Sequence, residues 1–175
     1  MDSEGLFQKP KKRIYVCHDH FTDGGAFDRF KRMFASLYDI VRDNSMEREV
    51  GTEDPEAYVE ALHEGPLADA ACAVVLCGSR THLDPFVDWE IKAALDDRIG
   101  LVGVILPPNP GSPADPAQPL LPDRLQVNFD GGYAVICRWH ELVSNKVDLG
   151  ARMSFAMDRD RILIRNGMPL RGLSG

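Results

Sequence analysis

A chain of 175 residues, 44% of them apolar, is the size of one domain that buries its own core without disulfides or metals. Its net charge of −7 argues against nucleic acid or an anionic membrane surface as a partner. No apolar run approaches the ~20 residues that span a bilayer. The opening MDSEGLFQKPKK lacks the apolar stretch of a secretory signal, and Cys17, Cys72, Cys77 and Cys137 show no CxxC spacing, so a cytoplasmic protein with reduced thiols is expected.

Residues 1–12 read as a flexible lead-in. RIYVC at 13–17 is a first strand, followed by the polar HDHFTDGG. Residues 26–37 place Phe27, Phe30, Phe34 and Leu37 at helical spacing, with Arg29, Lys31 and Arg32 outside. A short second strand spans 38–41, and a charged loop leads to a helix start at Asp54-Pro55 that Gly65 and Pro66 end. Residues 71–76 and 101–106 are unbroken apolar runs, the signature of parallel strands covered on both faces. Between them Asp84 caps a helix and Pro85 takes its first position, where a missing N–H costs nothing.

On that middle helix Val87, Ile91, Ala94 and Leu95 form the face that packs on the sheet. Glu90 is expected on the flank of this face, between Phe86 and Ala94, and Trp89 is expected to point away from the core. Residues 107–122 hold seven of the twelve prolines and predict a surface loop without regular structure. After a fifth strand at 133–137, introduced by Asp130-Gly131-Gly132, a helix begins at 138. The charged stretch 146–165 continues as a long helix and 166–175 as a frayed tail. The domain therefore covers 13–144, with a helical extension and tail over 145–175.

This alternation predicts an α/β fold: a doubly wound, flavodoxin-like sheet of five parallel strands in the order 2-1-3-4-5, helices on both faces. The order reverses between strands one and three, and the crevice at their C-terminal ends should hold His18, Asp19, His20, Ser79 and Glu90. Several chemistries fail there. A phosphorelay receiver needs an aspartate ending strand three and a lysine ending strand five, where this chain has Cys77-Gly78 and Cys137-Arg138. Thr22-Asp23-Gly24-Gly25 is a weak echo of a phosphate loop, with Asp23 opposing an anion. No GxSxG nucleophile elbow occurs. His18, Asp19, His20 and Cys77 raise the question of a metal; none is expected, on the reading that the two imidazoles point to opposite sides of the strand end.

RIYVCHDHFTD, the DNS of 43–45, VVLCGSRTHLDPFVDWEIKAAL, GLVGVILP and YAVICRW together resemble the TIR-like family, over about 13–142. The resemblance is strongest to the prokaryotic branch that includes the signal-producing subunit of the Thoeris antiphage defence system. Enzymatic members cleave the nicotinamide–ribose bond of NAD+, with a catalytic glutamate on the helix after strand three. The resemblance thus implies Glu90 as the catalytic residue, with NAD+ as substrate and no cofactor. It implies that His18, Asp19, His20, Asn44, Ser45, Ser79 and Trp89 line the substrate site. A linear or cyclic ADP-ribose-type product sensed by a downstream effector follows, with self-association aided by Trp89. The alternative is a non-catalytic TIR-like module that signals by self-assembly or partner binding. Where the family often carries a serine and an aromatic residue at the end of strand one, this chain has Cys17-His18.

Overall fold

The computed structural model describes residues 9–42, 54–108 and 120–173. Asn44, Ser45 and most of the proline-rich run lie outside these residues; the described ends of that run, 107–108 and 120–122, have no regular structure.

Five parallel strands form one sheet in the order β2-β1-β3-β4-β5: β1 (Arg13–Cys17), β2 (Asp39–Val41), β3 (Ala70–Cys77), β4 (Gly100–Ile105) and β5 (Val135–Arg138). The expected topology is therefore the observed one. Six helices connect and cover the strands among the described residues: α1 (Gly24–Phe34), α2 (Pro55–Glu64), α3 (Pro85–Asp96), α4 (Asp123–Asp130), α5 (Trp139–Ser144) and α6 (Val147–Met157). No helix among them is long and apolar enough to cross a membrane.

The strands are apolar throughout because both faces are buried, and successive residues alternate between two cores. Ile14, Val16, Val74, Leu76, Val102 and Val104 pack with Phe27, Phe30 and Phe34 of α1 and with Leu149 and Met153 of α6. Tyr15, Cys17, Ala73, Val75 and Leu101 face the other way, onto Tyr58 and Leu62 of α2, Ile91 and Leu95 of α3, and Leu125 of α4. The β1–β3 register, Tyr15 beside Ala73 and Cys17 beside Val75, sets the strand ends that frame the crevice.

Three local expectations need correction. Helix α4 was not anticipated, because the proline run before it and the Asp130-Gly131-Gly132 turn after it obscured a short helical span. The long C-terminal helix stops at Met157. There Asp160 turns its carboxylate onto the Ile162 amide at 3.0 Å and caps a separate 3-10 turn, Arg161–Leu163, an alternative that short acidic side chains offer the backbone. The segment after it is not frayed: it returns across α3.

Candidate functional site

Helix α3 starts where the sequence indicates, with the Asp84 carboxylate accepting from the Phe86 amide at 2.9 Å and Pro85 in the first turn. Its second turn carries Glu90 inward rather than to a flank: the residue is 1% exposed. Its Oε1 accepts a hydrogen bond from the Tyr15 hydroxyl at 2.8 Å and from the Tyr58 hydroxyl at 3.4 Å. Both tyrosines are fully buried, Tyr15 on β1 and Tyr58 on α2, so three elements converge on one carboxylate oxygen. Burial, and then the Glu90 carboxylate, push the Tyr15 phenol well above its ordinary range. It thus stays a donor. Burial first and Glu90 second also raise the Cys17 thiol, which leaves it protonated and a poor nucleophile.

Trp89 does not face solvent. It is fully buried, with ring centroids 4.9 Å from Phe86 and 5.4 Å from Tyr58 in edge-on contacts. Its Nε1 donates to the Arg171 carbonyl at 2.8 Å. Trp89, expected to point away from the core, lies within it, and the returning C-terminal segment covers it. Asp88 is sealed in the same way, in a bidentate pair with Arg124 at 2.8 and 3.2 Å.

The loop between β1 and α1 is closed by its own acids. Asp19 Oδ1 accepts from the amides of Phe21 (2.9 Å) and Thr22 (3.3 Å), a local turn-forming role. Asp23, 5% exposed, accepts from the Thr81 hydroxyl at 2.7 Å, and that hydroxyl accepts from the Gly78 amide at 2.7 Å. This latch ties the loops after β1 and β3 together at the switch point. Burial raises the Asp23 carboxyl, and it raises that of Asp84 to about 6. Ser79 is half-buried and shares a cavity of about 110 Å³ with Thr22, Asp23 and Arg29. A Cβ on Gly78 would lie 2.2 Å from Asp23 Oδ1, a position the Thr81 bond holds in place. Gly78→Ala should therefore break the latch and cost about 1–3 kcal/mol, read as a lower midpoint in urea.

His18 and His20 lie side by side, ring centroids 4.3 Å apart, and not on opposite sides. Residues two apart on an extended chain share a face, which is the physical reason for this correction. His18 also stacks on Phe27 at 4.8 Å, and its Nε2 lies 3.2 Å from an Arg42 guanidinium nitrogen, with Arg42 itself over the Phe27 ring. Burial, then His20 and Arg42, lower the His18 pKa to about 3. Its unfolded value is near 6.5, so as pH falls from there toward 3 the unfolded chain binds a proton that the folded one refuses. The wild type should therefore lose stability relative to His18→Phe, by on the order of 1 kcal/mol per pH unit below 6.5. Asp23 and Asp84, which titrate the opposite way, are common to both proteins and cancel in that difference.

The candidate residues are thus placed in separate groups. Glu90 and Trp89 sit on the α2–α3 side of the sheet, whereas His18 stacks on Phe27 of α1, with His20 beside it. Asp19 and Ser79 belong to the two loops that Asp23 and Thr81 join. Tyr15 and Tyr58 were missed as site residues because both occupy core positions of amphipathic elements. The available signal was the phenol itself, which needs a hydrogen-bond partner when buried. Among the described residues no group of three or more His, Cys, Asp or Glu is arranged to hold a metal ion.

A five-stranded parallel sheet of this order, with a buried glutamate on the helix after its central strand, defines a flavodoxin-like α/β domain of TIR-like type. Residues 15–110 match the family described as Thoeris protein ThsB, TIR-like domain, and the chain belongs to that family. No curated protein matches it.

Proposed function

We propose that this Thoeris-type TIR-like module cleaves the nicotinamide–ribose bond of NAD+ and releases nicotinamide together with a linear or cyclic ADP-ribose-type signal. The observation that carries the reading is the Glu90 carboxylate, fixed through one oxygen by two phenols on separate elements. Departure of nicotinamide leaves positive charge on the ribose, and a preorganised carboxylate stabilises that charge without reorganising during the reaction. The bond broken is C1′–N; the bond formed is from C1′ to water, or to a nucleophile within the same product molecule when the product is cyclic. Downstream, an effector that senses the nucleotide completes the antiphage role. Trp89 is assigned no part in self-association, because it is buried.

Incubation with NAD+ under activating conditions should release nicotinamide, detected by chromatography, and the Glu90→Gln protein should not. Absence of nicotinamide under every condition in which the module signals would overturn the reading. It would favour the second one, a non-catalytic signalling module in which Glu90 is a structural knot. The same near-complete burial of Glu90 is the observation behind that alternative.

A further inference from the structure

We propose that Arg124, Asp88 and the segment 166–171 form a clamp that positions Glu90, acting through Trp89 and Tyr58; this rests on the NAD+-cleaving reading above. Arg124 is fully buried and commits all five of its guanidinium N–H groups. Two go to the Asp88 carboxylate, at 2.8 and 3.2 Å. The other three hold the returning segment: the Asn166 side chain at 2.9 Å, the Met168 carbonyl at 3.2 Å and the Pro169 carbonyl at 3.0 Å.

The segment in turn grips α3. The Arg171 amide donates to Asp88 at 3.0 Å, its carbonyl accepts from Trp89 at 2.8 Å, and its guanidinium reaches the His82 carbonyl. Asn166 donates to the Lys92 carbonyl at 3.1 Å. Asn166 also donates to Asp96 at 2.6 Å, so the contacts run from just before α3 to its last residue. Both Arg124 and the segment lie outside the stretch that matches the family.

From Trp89 the path to the carboxylate is short. The indole packs edge-on against the Tyr58 ring, and the Tyr58 hydroxyl bonds Glu90 Oε1 at 3.4 Å, the longer of its two phenol contacts. A small displacement of the ring breaks such a bond outright, while the 2.8 Å bond from Tyr15 survives. The Arg124–Asp88 ion pair by itself gains little over an apolar pair, but the guanidinium also satisfies three acceptors of the segment. What the guanidinium adds is direction, since each N–H fixes one acceptor in place. These are positioning residues: none touches Glu90 directly.

The experiment uses the full chain and replaces the ion pair as a unit, Asp88→Leu with Arg124→Met, alongside Trp89→Phe, which keeps an aromatic ring but removes the N–H and part of the buried indole's volume. Nicotinamide release is measured as kcat and KM separately, and the Glu90 carboxyl is titrated by 13C NMR, its signal assigned by its loss in Glu90→Gln. The paired swap should lower kcat by about tenfold or more with KM changed less than about twofold, because misplacement of a catalytic group falls on the reacting geometry. It should also shift the Glu90 titration, and Trp89→Phe should do both to a smaller extent. An unchanged kcat and an unchanged Glu90 titration in a folded variant would overturn the proposal. If the swap fails to fold, Trp89→Phe decides by the same two measurements. A wild type that never releases nicotinamide refutes the NAD+ reading alone, and the Glu90 titration still decides whether the clamp reaches the carboxylate.

Discussion

Glu90→Gln is expected to lower nicotinamide release from NAD+ by about a hundredfold or more, the usual consequence of removing one electrostatic stabiliser of a transition state. Glutamine keeps an oxygen that can accept from Tyr15 and Tyr58, so the phenols retain a partner. It replaces the other oxygen by an amide with two donors, in a place that is 1% exposed. Read from sequence, with Glu90 on the helix flank, this change should cost less than ~1 kcal/mol, as for a non-core substitution. Burial revises that to about 1–3 kcal/mol, the range for unsatisfied buried polar groups. Activity and urea unfolding should therefore be measured on one preparation. Full turnover by the glutamine protein ends the catalytic assignment. Glu90→Ala is the poorer probe, because it strips both buried phenols of their acceptor and opens a cavity as well.

Arg124→Met should be the most damaging single change to stability, costing about 3–5 kcal/mol, because it leaves the Asp88 carboxylate buried beside only a backbone amide. That is a large share of the 5–15 kcal/mol that holds a typical domain together. Adding Asp88→Leu should recover part of it, because no charge is then stranded, while the Arg171 amide and the Met168 and Pro169 carbonyls still lack their partners. A double-mutant cycle in urea reads the coupling directly. A single variant as stable as the wild type would mean that water or a shifted side chain compensates Asp88.

The strands, their order and the start of α3 were legible because each depends on local pattern. The apolar runs at 71–76 and 101–106 admit few other readings, and Asp84-Pro85 is a cap that works within one turn. The position of Glu90 was legible in part. Helical spacing put it near the buried stripe, but the spacing cannot show that Tyr58, 32 positions earlier, and Tyr15, 75 positions earlier, close over it. Trp89 failed for a related reason. A helical wheel describes one helix and the sheet beneath it, and the cover over its far side comes from Arg171, 82 positions later. The two histidines failed differently, through a misapplied strand period.

The distances along the chain between these partners have a kinetic side. No neighbouring pair of strands can zip up from a tight turn, because all are parallel and each pairing waits on a crossover. The bond from Tyr15 to Glu90 closes a loop of 75 positions, and the bond from Trp89 to Arg171 another of 82. Such closures come at a large entropic cost before any contact rewards them, and they set slow folding rates. During synthesis, the residues that hold Trp89 emerge after every strand of the sheet has been made. A ribosome-bound chain halted before Arg171 would thus carry a finished set of strands with the Trp89 indole still lacking its acceptor.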